Sequence, residues 1–354
     1  MAELDTLLMH LKEQGGSDLH LGAGREPRIR AKGRLRPIEG RPAQSDRELR
    51  GLLCEIASRK HWHEFETTSD CDFAYGLDGV ARFRANYFVQ GDGAAAVFRI
   101  IPEEIISLEQ LKLPDAIESL AHLDQGLVLV TGPTGSGKST TLAAIIDRVN
   151  RSYAKHIVTI EDPVEFVHQN RKSIFSHREV GLHSLGFTPA LRCAIRQDAD
   201  VILVGEMRER ETISLAITAA EMGMLVFGTL HTNNATKTID RIIDAFPAEE
   251  QNMVRVSLAE SLTGIVSQLL LPTADGKGRI ACNEILLRTP GLPNVIREGN
   301  TQMLQSIIQS GKAAGMQAMD DVLFACVKDG KVSAQDAYMK ATEKARFEPL
   351  LQEG

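Results

Sequence analysis

The sequence is short of the features that would take it out of an ordinary intracellular class. No apolar run approaches the roughly 18 residues that a membrane-spanning helix needs. The opening Met1-Ala2-Glu3-Leu4-Asp5 has neither the basic region nor the apolar core of a secretory signal. A soluble protein that stays in the cytoplasm, with no span of its own through a membrane, is the expectation. The five cysteines, Cys54, Cys71, Cys193, Cys282 and Cys326, are scattered, odd in number and never spaced C-x-x-C. That argues against both a disulfide framework and a zinc site. There is no excess of positive charge either: 40 Lys plus Arg face 47 Asp plus Glu, a net of -7, which speaks against nucleic acid as a general partner. What is present is 354 residues of which 43% are apolar. This exceeds the usual single domain and can bury a sizeable core, so two ordered domains are expected.

Residues 1–100 read as a small α+β unit. Leu4, Leu7, Leu8 and Leu11 recur at helical spacing, and Gly15-Gly16 ends that helix. Residues 70–75 and 80–89 read as strands around a turn at Leu77-Asp78-Gly79, and 94–101 as a third strand after Gln90-Gly91-Asp92-Gly93. A linker at 101–114, marked by Pro102 and Pro114, leads into residues 115–354. There strand-like runs at 127–131, 156–160, 201–204 and 225–229 alternate with helical segments, the pattern of a parallel sheet covered on both faces. After about residue 234 the chain reads as mostly helical apart from 279–287. The stretch 25–36 holds Arg25, Arg28, Arg30, Lys32, Arg34 and Arg36 against Glu26 alone. Such alternation is read as the solvated side of edge strands, with docking of an anionic partner as the other reading.

The chemistry begins at Gly132-Pro133-Thr134-Gly135-Ser136-Gly137-Lys138-Ser139, which matches G-x-x-x-x-G-K-[ST] between a strand-like run and the helical run from Thr140. Glycines let such a loop wrap its N–H groups around phosphate oxygens. Lys138 supplies a point charge to the β and γ phosphates, and Ser139 can ligate Mg²⁺ at the positive end of the helix. Lys138 is expected at an exposed loop–helix junction.

Three more strand ends carry polar groups. Ile157-Val158-Thr159-Ile160-Glu161-Asp162 puts two carboxylates where ligands sit in open α/β sheets, and one could polarise an attacking water. Val201-Ile202-Leu203-Val204-Gly205-Glu206 has the shape of a Walker B strand, with Gly205 in the place where aspartate is usual and Glu206 as the only acid. Such a site is read as holding Mg²⁺ through water. Phe227-Gly228-Thr229-Leu230-His231 ends a fourth strand with an imidazole where a γ-phosphate sensor would lie. Taken singly, each of these groups could simply be solvated or structural; four together carry more weight.

These boxes, with Thr-Ile-Glu-Asp-Pro-Val-Glu-Phe at 159–166, Val-Ile-Leu-Val-Gly-Glu-Met-Arg at 201–208 and Gly-Thr-Leu-His-Thr-Asn at 228–233, resemble the four signatures of secretion-superfamily ATPases. Within that superfamily the chain is most similar to the PilT family of type IV pilus retraction motors. Ser17-Asp18-Leu19-His20-Leu21 and Val295-Ile296-Arg297-Glu298-Gly299 match as well, so the resemblance covers almost the whole chain. Asn300 stands where the family usually has Lys, and Ala199 replaces the usual proline between Asp198 and Asp200. The resemblance implies an α/β protein in which a PAS-like α+β domain precedes a RecA-like P-loop ATPase domain with a helical C-terminal region. It further implies a homohexameric ring that works on an inner-membrane pilus platform protein, peripherally associated with that machine. Implied roles are nucleotide binding for Gly132 to Thr140, phosphate and Mg²⁺ contacts for Lys138 and Ser139, the catalytic water for Glu161, the Walker B function for Glu206 and sensing for His231. From the N-terminal domain Arg84 and Arg99 are implied to neutralise the γ-phosphate. Alternation of Arg82 and Arg84 with Phe83 and Ala85 agrees with one polar and one buried strand face, and a merely solvated arginine face is the competing reading.

The leading function is therefore an ATP-hydrolysing motor of pilus retraction. Its rivals are a pilus-assembly or secretion motor, an accessory retraction paralogue, a non-hydrolysing nucleotide-dependent regulator, and a metabolic P-loop kinase. Assembly motors generally carry an extra N-terminal domain and a C-x-x-C zinc insertion, and the sequence has neither. The acids at 161 and 206 speak against a non-hydrolysing regulator, and no acceptor-substrate site for a kinase is evident.

Overall fold

The computed structural model describes residues 2–31, 33–101 and 104–352. Lys32 of the basic stretch and Pro102 of the linker fall outside the described residues. The chain forms two compact units, Met1–Glu104 with Pro163–Val167, and Ile105–Asp162 with His168–Gly354.

The first unit is built on six strands: β1 (Gly16–Gly22), β2 (Arg28–Ala31), β3 (Arg34–Pro37), β4 (Asp70–Leu77), β5 (Ala81–Gln90) and β6 (Gly93–Ile101). They pair antiparallel throughout in the order β3-β2-β1-β6-β5-β4. The period of two is clear on β5, where Ala81, Phe83, Ala85 and Tyr87 are buried and Arg84 is exposed. Helices Glu3–Glu13, Asp46–Cys54 and Arg59–Thr68 close the apolar side, Leu4, Leu8, Leu53 and Phe65 packing with Phe83, Tyr87 and Phe98. Each fully buried side chain of this size contributes about 1.5–3 kcal/mol relative to exposure. The Tyr87 hydroxyl, buried with them, donates to the Leu53 carbonyl at 3.1 Å, which removes the cost of an unpaired hydroxyl. On β3, all four residues are exposed at the sheet edge.

In the second unit seven strands follow: β7 (Gly126–Thr131), β8 (His156–Glu161), β9 (Ile174–Glu179), β10 (Val201–Val204), β11 (Leu225–Leu230), β12 (Leu262–Pro272) and β13 (Arg279–Leu287). Their order is β13-β12-β7-β11-β10-β8-β9, parallel except for the antiparallel pair β12–β13. The central strands are buried at every position of β7, β10 and β11, as a sheet covered on both faces requires. Two apolar clusters lie on its two sides, one joining Leu127, Leu129 and Ile202 to Ile213 and Ile239, the other joining Val128, Val130 and Leu203 to Leu142, Ile145 and Ile146.

This corrects the expectation that the chain beyond about residue 234 is mostly helical apart from 279–287, because β12 is an eleven-residue strand within that region. Its apolar run is buried on both faces, between β7 and β13 within the sheet, so it lacks the alternation that identifies a half-buried strand. Helices Met319–Lys328, Ala334–Lys340 and Lys344–Gln352 form a last cluster, in which Leu323 and Phe347 pack on Leu269, Leu271 and Cys282 of the β12–β13 pair.

Candidate functional site

The order of the second sheet places β7, β11, β10 and β8 side by side, so their carboxyl ends form one edge. The phosphate loop leaves β7, His231 follows β11, Gly205-Glu206 follow β10, and Glu161 ends β8. Four groups proposed from separate stretches of sequence thus share the edge where ligands bind in such sheets.

The loop itself is shaped by glycine. Gly132 has φ +143°, and a Cβ there would come within 2.2 Å of the Gln268 carbonyl oxygen, so β12 runs too close for a side chain. Gly137, at φ +86°, caps the helix Lys138–Ser152. That helix buries Leu142, Ile145, Ile146 and Val149 against the sheet, which fixes where its first turn points. Pro133, Thr134 and Gly135 are exposed, Ser136 is buried, and Ser139 and Thr140 are half-buried at the start of the helix.

Lys138 departs from expectation. It is 8% exposed, and its ammonium donates to the carbonyls of Gly132 at 2.9 Å and Pro133 at 3.1 Å. The side chain folds back across the loop, because a charge buried there needs acceptors close by.

Glu161 is buried to 9% exposure at the end of β8. Gly205 explains the missing Walker B aspartate: a Cβ at 205 would lie 3.2 Å from the Ile160 carbonyl and 3.3 Å from Glu161 Cα, and would crowd that glutamate. The acid moves one residue on, to Glu206, whose carboxylate receives His231 Nε2 at 2.9 Å and the Arg208 guanidinium. Glu206, and more weakly Asp162, hold Arg208 more firmly protonated than usual. The Thr229 hydroxyl donates to the Gly205 carbonyl and Met207 N–H to the Thr229 carbonyl, stitching the ends of β10 and β11 together.

A cavity of about 980 Å³ opens beside the helix start. Leu113, Leu270 and Ile280 line it together with Thr140, Gln268 and Arg279, giving mixed apolar and polar walls beside Gly137 of the loop.

Arg84 and Arg99 are on the sheet of the first unit, not among these strand ends. They are register partners on β5 and β6, and Arg99 in turn pairs across with Asp18 of β1. Arg99 Nε donates to Asp18 Oδ1 at 2.7 Å, and Arg84 lies 3.6 Å from Asp72. Burial would raise the Asp18 carboxyl, but the Ser17 hydroxyl and Arg99 outweigh it and hold it below its ordinary value of 3.8.

Sequence reasoning missed two neighbours of the site. Arg208 stands out in the sequence only as part of the run at 201–208, and Gln268 has no motif around it, although a glutamine interrupting the apolar run of β12 is itself a signal.

A glycine loop between a parallel strand and a buried helix, with acids at neighbouring strand ends, defines a P-loop ATPase. The family model for type II/IV secretion system proteins matches residues 2–346, and the chain belongs to that family. It is 48% identical over 345 residues to the type IV pilus retraction ATPase PilT of Pseudomonas aeruginosa, covering 98% of this chain and all of that one. It is 50% identical over 315 residues to a twitching motility protein of Neisseria gonorrhoeae, covering 89% and 84%. Among solved structures it is similar to that of the pilus retraction motor PilT with bound ADP, at 42% identity, TM-score 0.90 and 99% coverage of both chains. Among the described residues no helix is long and apolar enough to cross a membrane.

Proposed function

We propose that this chain hydrolyses ATP to drive retraction of a type IV pilus, acting as a homohexameric ring against a platform protein of the inner membrane from the cytoplasmic side. The observation that carries the reading is the meeting of the phosphate loop, Glu161, Glu206 and His231 at one sheet edge in a chain nearly half identical, end to end, to a retraction ATPase. In hydrolysis a water oxygen bonds to the γ-phosphorus, the bond to the bridging oxygen breaks, and ADP and phosphate leave. Loop N–H groups from Gly132 to Ser139 and the Lys138 ammonium hold the phosphates. Glu161, buried at the end of β8, orients the water and accepts its proton. His231, 2.9 Å from the carboxylate of Glu206, registers in this reading whether the γ-phosphate is present. The cavity beside the helix start takes base and ribose.

Mg²⁺ fits the donor set. The Ser139 hydroxyl at the first turn of the helix and the Glu206 carboxylate are oxygen donors, and Glu206, already engaged by Arg208 and His231, would act through water. The ion would supply charge neutralisation at the phosphates. Arg84 and Arg99 are the further cations assigned to the γ-phosphate.

The test is genetic and biochemical together. Cells lacking the gene keep pili but do not retract them, and the wild-type gene restores retraction while a Lys138→Ala copy does not. Mass measurement of the purified protein gives a six-subunit ring, with specific activity falling on dilution below its assembly range. Retraction without the gene, or full activity as a monomer, overturns the reading.

A further inference from the structure

Gln268 of β12 is 2% exposed, yet both ends of its amide are occupied. Its Nε2 donates to the Ser136 carbonyl at 2.6 Å, and its Oε1 accepts from the Thr141 hydroxyl at 2.8 Å. The same residue meets the loop twice more. Its backbone carbonyl is the atom that forbids a Cβ at Gly132, and its Nε2 would lie 2.9 Å from a Cβ at Gly137. One residue therefore lies against the phosphate loop at its beginning, through its backbone, and at its end and against the helix that follows, through its side chain.

The peptide unit converts these contacts into a direction. A trans peptide is planar with its C=O and N–H antiparallel, so turning the Ser136 carbonyl toward β12 turns the Gly137 N–H to the opposite side. N–H groups presented in this way are what such a loop offers a phosphate. The Ser136 carbonyl settles which end of the amide does this: it only accepts, so it takes the NH₂ end, where a flipped amide would set two oxygens against each other, and the Thr141 hydroxyl then donates to Oε1. The strand carrying Gln268 is itself held to β7, with the hydroxyls of Ser267 and Thr131 2.9 Å apart.

We infer that Gln268 is a positioning residue for nucleotide binding: it holds the Ser136–Gly137 peptide in the orientation that aims the Gly137 N–H at the phosphate, with Thr141 anchoring the other end of its amide. The inference rests on the phosphate-loop reading given above. It is a contribution to ground-state binding, so its loss raises KM and leaves kcat nearly unchanged.

The experiment uses the full chain and steady-state ATP hydrolysis. Gln268→Met fills the same space with neither donor nor acceptor, and KM for ATP rises about tenfold while kcat stays within about threefold. Loss of a buried hydrogen bond lowers the melting temperature whatever its purpose, but a purely structural glutamine would leave KM unmoved in the folded protein. Unchanged KM, or a fall in kcat at constant KM, overturns the inference. Should Gln268→Met fail to fold, Thr141→Val keeps the glutamine and removes the anchor at its Oε1, and a KM rise of about threefold supports the inference where no rise overturns it. Lys138→Ala is assayed alongside: if it loses turnover while the Gln268 variant behaves as wild type, the inference fails alone, whereas wild-type behaviour of both removes the loop reading itself.

Discussion

His231 Nε2 and Glu206 Oε1 stand 2.9 Å apart at the ends of adjacent parallel strands. Arg208 reaches the same oxygen. A change in the charge at position 206 is therefore felt by two side chains at once.

Glu206→Gln keeps the shape and an accepting oxygen for both neighbours but removes the negative charge. Turnover falls by about 100-fold or more, while the dissociation constant for ADP changes by less than about threefold. Binding measured by fluorescence titration beside the hydrolysis assay separates the two. A parallel collapse of affinity would mean that Glu206 holds the site together instead.

Lys138→Ala abolishes turnover, and the buried position of Lys138 adds a second effect. The carbonyls of Gly132 and Pro133 lose the donor they have in the native loop, so the protein also becomes less stable, by about 1 kcal/mol. Thermal unfolding without nucleotide detects this. Stability equal to wild type would show that the ammonium does not rest on those carbonyls in solution.

Much of this site is legible in the sequence because its signals are local. The phosphate loop, the Glu161 strand end and the His231 strand end each occupy a few consecutive residues, and parallel topology brings them to one edge without further information. The missed parts are those in which distant segments decide. Gly205 looks like a degraded Walker B position until its approach to Glu161 is seen. Gln268 acts on a loop 132 residues earlier in the chain. β12 is hidden because burial on both faces erases its period of two, and the folding back of Lys138 depends on carbonyls whose direction no motif encodes.

Asp321 ties the C-terminal helices together. Lys312 Nζ at 2.8 Å and Arg346 Nη1 at 2.6 Å hold its carboxyl down to about 2, against a smaller opposing effect of burial. A depressed carboxyl contributes stability that is present above its unfolded value of 3.8 and is lost as pH falls through about 2. Both cations are partly solvent-exposed, so screening leaves about 1 kcal/mol for Asp321→Asn at neutral pH. Hydrogen exchange in Lys344–Gln352 speeds up in the variant; unaltered exchange there would show that these ion pairs do not dock the last helix.

Asp18 offers a test of the first unit with the same sign. It is 4% exposed, sits opposite Arg99 in the β1–β6 register, and has its carboxyl held below 3.8. Its contribution is complete above that value and disappears as pH falls through the lower folded one. Asp18→Asn keeps the size and removes the charge, so the variant is less stable at pH 7, and the gap to wild type narrows as pH drops below about 4. Because Arg99 is 69% exposed, the gap is small, about 1 kcal/mol or less. Urea unfolding across this range measures it. A gap that stays constant down to pH 3 would assign the loss to packing around Asp18, and the charge pairing that fixes the direction of Arg99 would fall with it.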